Sequence, residues 1–515
     1  MIQGTSSHAG KSLLTAALCR ILAKRGLRVA PFKAQNMALN SFVAAEGGEI
    51  GMAQALQARA AGIEPSVDMN PVLLKPSADS VSQVIIHGRV YEAMTAREYH
   101  GFKGQAKRFV RESFERLSKR YDVIVIEGAG SPAEVNLRKN DIANMGMAAI
   151  AKSPVVIVGD IDRGGVFASF VGTVELLTKT ERARVAGFIV NKFRGDAGLL
   201  KPGLSFLKRR TGVPTLGVIP YMKDILLPDE DSVSLERGKK YGASKNQRTI
   251  RLRIIKLPRI SNFTDFDPFR YDPGVEMEFI EKSDGVKDAD MVIIPGSKNT
   301  LEDLAWLKKR GFQEELERFV EQGGMLAGIC AGFQMLGRTV ADPHGVESGS
   351  LKESGRKRPW KTDGLCLIDA HTVLKKEKKT FRVKADVVAN GFANGLVEGY
   401  EIHMGETSSA EPPLARITAR NGRTAKRSDG AVLNGGLLWG TYIHGIFDNA
   451  LFRAALLNRL RLKKGIAAAG SGSSHFEATE AALDRLARVV EDNLDMKKIV
   501  RIIGLPARPP GSVKQ

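Results

Sequence analysis

Cysteine is scarce in this 515-residue chain, which contains only Cys19, Cys330 and Cys366. None stands in a CxxC pair or at metal-ligand spacing from a histidine, so a disulfide framework and a structural zinc site are both excluded. The sequence also lacks an apolar run of about 18 residues and a charged leader followed by an apolar segment. We therefore expect a cytoplasmic protein without a membrane partner.

Acidic residues are fewer than basic ones, with 57 Asp and Glu against 77 Lys and Arg, which gives a formal net charge of +20. A clustered positive surface would favour nucleic acid, because bound cations release counterions from phosphates. The basic runs at 237–240, 356–361 and 375–379 are short, scattered and in part mixed with acidic residues. Such runs are usually solvent-exposed, so we expect no nucleic-acid partner. The charge also suits a polyanionic small substrate.

Short β-branched segments alternate with amphipathic helical segments in both halves of the chain. The segments that read as strands are 27–32, 121–128, 153–160 and 185–193, and then 250–258, 289–297, 323–330 and 437–445. This alternation predicts an α/β protein with two parallel-sheet domains. We place the first domain at 1–232, a charged Gly- and Ser-containing linker at 233–249, the second domain at 250–450, and a helical C-terminal extension at 451–515.

A glycine-rich segment, GTSSHAGKS, runs from Gly4 to Ser12 directly before an amphipathic helix. It has one residue more between its glycines than the usual phosphate-binding loop. Backbone amides of Gly4, Thr5 and Gly10 can face phosphate oxygens, Lys11 can neutralise their charge, and Ser12 can hold Mg²⁺. The segment therefore predicts an ATP site. A buried strand of about five residues should precede such a loop, so we expect the natural start to lie upstream of Met1.

Polar residues end several of the predicted strands. Glu127 ends the strand in IVIEGAGS, where its carboxylate can complete the Mg²⁺ shell, because ligands of parallel sheets gather at the carboxyl ends of strands. Lys33 and Asp160 occupy similar strand ends, and either residue can instead pair with a neighbour. Asn191 directly follows the apolar run VAGFIV (185–190), where a polar residue more often caps a turn.

Cys330 stands at the junction of an apolar strand and a helix, between Gly328 and Gly332. A tight turn of this kind exposes the side chain and places the sulfur at a helix N-terminus, where the dipole favours the thiolate. The pattern predicts a nucleophile. The amides of Ala331 and of the Gly296–Ser297 turn, which follows the strand MVIIP, can then form the oxyanion hole.

A cysteine nucleophile needs a base, and the serious candidates among the eight histidines are His403 and His444. His444 follows a strongly apolar strand, the position from which an imidazole reaches across the carboxyl edge of a parallel sheet, so we choose His444. The residue two positions beyond it is Ile446 rather than an acid. Asp448 or a backbone carbonyl can orient the ring, or the site can work as a dyad.

The run Gly328–Gln334 resembles the nucleophile segment of the class I glutamine amidotransferases. The N-terminal loop with IEGAGS resembles dethiobiotin synthetase, an ATP-dependent ligase that activates carboxylates. Together the two halves resemble the glutamine-dependent amidotransferases of cobalamin synthesis. This wider resemblance includes PFKAQNMALNS (31–41), GDIDRGGVFAS (159–169), PRISNFTDFDP (258–268) and GYEIHMG (399–405).

The resemblance implies that glutamine hydrolysis at Cys330 and His444, with Gln334 binding glutamine, supplies ammonia. It also implies that the first domain uses ATP and Mg²⁺ to amidate four peripheral carboxylates of a corrinoid, adenosylcobyrinic a,c-diamide, without a redox cofactor. Asp160, Asp162, Arg163 and Lys33 are candidates for corrinoid contacts. The resemblance to dethiobiotin synthetase makes Asn191 a candidate for contact with the adenine base of ATP. Two alternatives stay open: another glutamine-dependent ligase, and a non-enzymatic P-loop partitioning or nucleic-acid-binding protein, which would leave Cys330 and His444 without a role.

Overall fold

The computed structural model describes residues 1–77, 81–223, 225, 227–228, 240–242, 249–347, 361–470 and 474–505. Apart from 240–242 and 249, the predicted linker at 233–249 lies outside the described residues. The predicted α/β class with two mostly parallel sheets and a helical C-terminal segment is confirmed.

The first domain contains twelve strands and seven helices among the described residues. The strands are β1 (Ile2–Gly4), β2 (Val29–Phe32), β3 (Gln35–Met37), β4 (Ser41–Val43), β5 (Glu49–Gly51), β6 (Val72–Pro76), β7 (Val81–Ile86), β8 (Arg89–Thr95), β9 (Val123–Ile126), β10 (Val155–Asp160), β11 (Val185–Phe193) and β12 (Thr215–Pro220). The helices are α1 (Lys11–Lys24), α2 (Met52–Ala60), α3 (Ala96–Ser118), α4 (Met145–Ile150), α5 (Val166–Leu176), α6 (Lys179–Arg182) and α7 (Lys201–Thr211).

A row of parallel strands forms the centre of this domain. Strands β1, β10, β11 and β12 pair in that order, and β2 pairs in parallel with β9. A parallel bridge between Ile2 and Glu127 joins the two groups. The carboxyl ends of these strands therefore bring Gly4, Glu127, Asp160 and Asn191 to one edge of the row. A mixed sheet in the order β3-β6-β7-β8 and the hairpin β4-β5 complete the domain.

The second domain and the C-terminal segment contain the remaining elements. The strands are β13 (Lys240–Tyr241), β14 (Ile250–Ile255), β15 (Val275–Ile280), β16 (Met291–Ile294), β17 (Met325–Ile329), β18 (Thr339–Ala341), β19 (Lys361–Asp363), β20 (Ala370–Val387), β21 (Gly395–Ser409), β22 (Ala415–Arg420), β23 (Arg423–Asp429), β24 (Ala431–Leu433) and β25 (Leu438–Thr441). The helices are α8 (Thr300–Lys309), α9 (Phe312–Glu321), α10 (Ala331–Leu336), α11 (Ala450–Lys463), α12 (His475–Asn493) and α13 (Met496–Ile502).

A seven-stranded sheet in the order β13-β15-β14-β16-β17-β25-β24 forms the centre of the second domain. Its five central strands are parallel and its two edge strands are antiparallel. A separate six-stranded, largely antiparallel sheet is built around the long strands β20 and β21. The sequence does not predict this second sheet, because the charged run at 375–379 interrupts the alternation of β20.

The C-terminal helix α12 buries its apolar face mainly on the first domain, while His475 at its start contacts Tyr271 of the second. Leu483, Leu486 and Val490 belong to the same buried cluster as Leu14 and Leu18 of α1. Arg20 of α1 also pairs with two carboxylates of α12, those of Glu480 and Asp484. Residues of α12 near the C-terminus thus complete the hydrophobic core that α1 forms near the N-terminus. Within the described residues, no helix has both the length and the apolar character to cross a bilayer.

The two domains meet through buried polar contacts. Glu49 of the first domain is buried and pairs with Lys75 Nζ at 2.6 Å and with Lys378 of the second domain. Thr380 Oγ1 donates to the carbonyl oxygen of Gly47 at 2.8 Å. Lys378 belongs to the run 375–379, so the expectation that this run is a solvent-exposed face is wrong for Lys378, whose charge the carboxylate of Glu49 compensates.

Candidate active sites

Cys330 occupies a strained turn between β17 and α10. Its backbone φ is 54° and its ψ is −107°, an unusual conformation for a residue with a side chain, and such strain is typical of nucleophile turns. A Cβ on Gly328 would lie 2.6 Å from Phe333 N, and one on Gly332 would lie 2.0 Å from Ile294 O. The glycines on either side are therefore required for the strand and helix to approach each other.

His444 lies beside Cys330 and is held by a carboxylate from a distant part of the chain. His444 Nδ1 is 2.6 Å from Asp265 Oδ2, and Gly445 N donates to Asp265 Oδ1 at 3.0 Å. Burial by itself would lower the pKa of His444, but Asp265 and Cys330 outweigh it and raise the pKa to about 10. The imidazole is therefore protonated at neutral pH, and an imidazolium stabilises a neighbouring thiolate.

Strand β21 forms one wall of this site. The Tyr400 ring stacks on His444 with centroids 5.4 Å apart and an interplanar angle of 17°. Cys330 Sγ is 3.6 Å from the carbonyl oxygen of Ile402. His403, the other candidate base, points its Nδ1 at the carbonyl oxygen of Gly405 at 2.7 Å and stacks on Tyr442. Its contacts are thus those of a packed structural side chain.

The predicted oxyanion turn lies against the histidine. A Cβ on Gly296 would lie 3.1 Å from His444 Cε1, so the turn and the ring are neighbours. Ser297 Oγ donates to Asp303 Oδ2 at 2.7 Å and accepts from Asn299 N, so the hydroxyl is engaged within the turn. The predicted contact of the Ser297 backbone amide with an oxyanion stays a prediction. Ala331 begins α10, so its N–H is among the amides without an intrahelical acceptor.

Gln334 lies one helical turn after Cys330 and is buried. Its Oε1 accepts a hydrogen bond from Thr300 Oγ1 at 3.1 Å, and a Cβ on Gly405 would lie 2.5 Å from its Nε2. The structure therefore places this side chain between α8 and β21, with its amide engaged by the protein. Its predicted contact with glutamine stays a prediction.

The glycine-rich loop joins β1 to α1 at the carboxyl edge of the first sheet. Lys11 Nζ donates to the carbonyl oxygens of Ser6 at 2.9 Å and Gly130 at 3.1 Å, so its charge lies over the loop. Gly10 has a φ of 97°, and a Cβ there would lie 2.1 Å from Asn191 Nδ2. Asn191 Nδ2 donates to the carbonyl oxygen of Ala9 at 2.9 Å, which places this residue against the loop itself.

Oxygen ligands suited to Mg²⁺ lie together next to this loop. Ser12 Oγ donates to Glu127 Oε1 at 2.8 Å, and Lys33 Nζ is 2.9 Å from the same carboxylate oxygen. Gln57 Nε2 donates to Glu127 Oε2 at 2.5 Å and to the Ser12 carbonyl oxygen at 3.2 Å. One hydroxyl and one carboxylate fit Mg²⁺, which usually takes its other ligands from phosphates and water.

The remaining candidates surround the same edge. Asp160 Oδ2 pairs with Lys192 Nζ at 2.8 Å, and Lys192 Nζ also donates to the carbonyl oxygen of His8 in the loop. Asp162 pairs with Arg194 at 2.7 Å. Arg163 is 3.9 Å from Asp160, and its side chain is 68% exposed. The structure thus groups these residues near the nucleotide loop, with Arg163 facing solvent.

Known protein families match both halves of the chain. The model of the CobQ/CobB/MinD/ParA nucleotide binding domain matches residues 1–234, and that of the CobB/CobQ-like glutamine amidotransferase domain matches residues 251–452. A cobyric acid synthase of Sorangium cellulosum is 48% identical over 99% of each chain. Cobyric acid synthases of Syntrophobacter fumaroxidans and Clostridium botulinum are 46% and 48% identical over at least 98% of each chain.

The chain belongs to the cobyric acid synthase family. It is therefore a glutamine-hydrolysing amidotransferase ligase that also carries a nucleotide-binding domain.

Sequence reasoning missed three side chains of these sites. Asp265 and Tyr400 lie in segments that carry the resemblance, PRISNFTDFDP and GYEIHMG, but the sequence assigned neither a role. Gln57 carries no motif, and the one signal for it is a polar residue on the buried face of α2. All three side chains contact partners on elements that are distant in sequence, so no local pattern marks them. In this cobyric acid synthase family member, the carboxylate on the histidine thus precedes the nucleophile in sequence.

Proposed function

We propose that the enzyme amidates peripheral carboxylates of adenosylcobyrinic a,c-diamide to give adenosylcobyric acid, with glutamine as the nitrogen donor and ATP as the activating reagent. One observation carries the proposal: a nucleophile turn with a histidine–carboxylate pair and a phosphate loop with a carboxylate beside it occupy one chain. We also propose that the enzyme works in the cytoplasm, where these small molecules are available.

The second domain releases ammonia. The Cys330 thiolate attacks the side-chain amide carbon of glutamine, and the amides of Ser297 and Ala331 hold the developing oxyanion. The C–N bond then breaks as His444 donates its Nε2 proton to the departing ammonia. Water, deprotonated by the now neutral imidazole, hydrolyses the thioester and releases glutamate, which restores the thiolate–imidazolium pair.

The first domain activates the acceptor. A corrinoid carboxylate oxygen attacks the γ-phosphorus of ATP, ADP leaves, and ammonia displaces phosphate from the acyl phosphate to form the amide after loss of a proton. Backbone amides of the loop and Lys11 hold the phosphates, and Ser12 and Glu127 would hold Mg²⁺. Mg²⁺, when bound with ATP, neutralises charge on the phosphate oxygens. We propose that Lys33, Asp160, Asp162 and Arg163 contact the corrinoid and that Asn191 contacts the adenine.

Two single substitutions test this division of labour. Cys330→Ala removes the nucleophile and is expected to abolish glutamine-dependent amidation while ammonium-dependent amidation persists. Lys11→Ala removes the phosphate contact and is expected to abolish amidation from both nitrogen sources while glutamine hydrolysis persists. The assay follows the corrinoid by mass spectrometry, since each carboxylate-to-amide conversion lowers the mass by about one dalton. Loss of ammonium-dependent amidation in Cys330→Ala would contradict the proposal.

A further inference from the structure

A single loop of the first domain reaches the histidine site of the second. Asn40 Oδ1 accepts a hydrogen bond from Phe263 N at 3.0 Å. Ser41 N donates to Asn262 Oδ1 at 3.4 Å, and Asn262 Nδ2 donates to the Ser41 carbonyl oxygen at 3.2 Å. We call these four residues the interdomain clasp. All its hydrogen bonds are buried, so each lost partner would leave an unsatisfied polar group.

Asn262 has a left-handed backbone conformation. Its φ is 52° and its ψ is 38°, in the left-handed region, where asparagine is tolerated better than most residues but still at a cost. Its side chain is 2% exposed. It caps no helix through that side chain, since no side-chain cap is formed at the start of the 3₁₀ helix Phe263–Tyr271. The amide group is used instead for Ser41 and for Tyr400.

Two short connections lead from the clasp to His444. The carbonyl oxygen of Asn262 accepts from Asp265 N at 3.0 Å, and Asp265 holds His444 Nδ1. Asn262 Nδ2 also donates to Tyr400 Oη at 3.1 Å, and the Tyr400 ring stacks on the imidazole. Both the hydrogen-bond partner and the stacking partner of the base are therefore fixed through Asn262.

The clasp is also connected to the nucleotide site by helix α2. The carbonyl oxygen of Asn40 accepts from Met52 N at the first residue of α2. Near the other end, Gln57 donates to Ser12 O and to Glu127 Oε2. Ser12 and Glu127 are the oxygen ligands proposed above for Mg²⁺. A change of these hydrogen bonds on nucleotide binding would therefore act on α2 through Gln57.

We propose that Asn40 is a positioning residue for the glutaminase base, and that the first domain uses the interdomain clasp to couple the state of its nucleotide site to glutamine hydrolysis. The inference rests on the proposed function. It assigns to a residue of the ligase domain an effect on His444, which Asn40 does not touch. The physical cause is orientation: a base displaced from its carboxylate and its stacking partner transfers protons less efficiently.

Three variants separate this role from a general loss of structure. Asn40→Ala deletes the acceptor for Phe263 N, and Asn40→Asp keeps an oxygen at that place. Thr380→Val is the matched control, because it deletes another hydrogen bond between the domains, the one to Gly47, and removes no hydrogen bond of Asn262, Asp265 or Tyr400. Glutaminase rates over a range of pH, with and without MgATP, are compared with ammonium-dependent amidation in the same preparations.

We expect Asn40→Ala to lower the kcat of glutamine hydrolysis by on the order of tenfold, with the KM for glutamine nearly unchanged. The fall of the rate at alkaline pH moves to lower pH, because His444 loses its close contact with Asp265. We expect MgATP to change the rate of hydrolysis by the wild type, and we expect this effect to disappear in Asn40→Ala. Asn40→Asp restores most of the rate, and Thr380→Val behaves as the wild type.

The proposal is overturned if Asn40→Ala hydrolyses glutamine with the wild-type rate and pH profile, or if Thr380→Val is impaired as much. It is also overturned if MgATP leaves the wild-type hydrolysis rate unchanged. Ammonium-dependent amidation distinguishes a failure of the clasp proposal from a failure of the proposed function. If this activity persists in Asn40→Ala, it supports the proposed function even when the clasp proposal is overturned. If Asn40→Ala does not fold, Asn262→Gly replaces it, since glycine keeps the left-handed backbone and removes only the amide contacts.

Discussion

At the scale of single residues, the orientation and the pKa of the His444 imidazole depend on which carboxylate contacts it. Asp265 approaches both His444 Nδ1 and the amide of Gly445, which fixes the ring and its protonation. Asp448 is closer in sequence but lies near His475, with Asp448 Oδ1 3.7 Å from His475 Nε2. The Asp448 side chain is also 50% exposed, whereas Asp265 is buried against the imidazole.

The substitution Asp265→Asn tests this assignment. The carboxylate is one of the causes that raise the pKa of His444 to about 10, so its removal lowers that pKa. The imidazolium is then lost at lower pH, and the alkaline limb of the glutaminase pH profile moves towards neutrality. The kcat is expected to fall on the order of a hundredfold or more, because the ring also loses its orientation.

Asp448→Asn is the matched control and is expected to keep the wild-type alkaline limb. Steady-state glutaminase rates between pH 6 and about 10 distinguish the two variants. A larger effect of Asp448→Asn than of Asp265→Asn would show that the nearby carboxylate, rather than the distant one, acts on the histidine.

At the scale of elements, the strands that position the sites were predictable, and the connections between them were not. Four strands in each domain were read from apolar runs, and β14, β16, β17 and β25 indeed lie side by side in parallel. Buried parallel strands are recognisable as continuous apolar runs in the sequence because both of their faces are apolar. The Asp265 segment is a 3₁₀ helix between β14 and β15, and its meeting with His444 depends on the sheet order.

The strand-to-helix element around Cys330 tolerates no side chain at its glycines. Gly332→Ala would place a Cβ 2.0 Å from the backbone oxygen of Ile294, so β16 or α10 has to move. We expect a loss of about 2 kcal/mol of unfolding free energy, together with reduced glutaminase activity. Gly395→Ala is the control, because nothing lies within 4 Å of its added Cβ.

Urea unfolding followed by tryptophan fluorescence measures the stability of the second domain in Gly332→Ala and Gly395→Ala. The three tryptophans all belong to the second half of the chain: Trp306, Trp360 and Trp439. A Gly332→Ala transition that coincides with that of Gly395→Ala would refute the packing argument. A shift of Gly332→Ala alone towards lower urea would support it.

At the scale of the whole molecule, the two active sites share one chain and a buried polar interface. Sequence patterns predicted the two units and their chemistry, because each carries its own motif. They did not predict that Glu49 pairs with Lys378 or that the helical tail returns to the first domain, since pairs far apart in sequence leave no local pattern.

Mixing the two inactive variants tests whether ammonia passes within one chain. Cys330→Ala retains the ligase site and Lys11→Ala retains the glutaminase site, so a mixture contains both activities on separate chains. If ammonia moves internally, the mixture forms amides from glutamine far more slowly than the wild type. An ammonia-consuming enzyme with its substrates, added to the assay, is expected to stop the mixture and to leave the wild type active. Equal suppression of both would indicate release of ammonia into solvent.

The packing of α12 on α1 has a consequence for the newly made polypeptide. Leu483, Leu486 and Val490 fill a cluster whose other members lie mostly within the first 220 residues. A ribosome that adds about 5 to 20 residues per second needs roughly 10 to 50 s to proceed from the end of the first domain to this helix. During that interval the leading domain has an open apolar face, and it becomes a client for chaperones until translation ends.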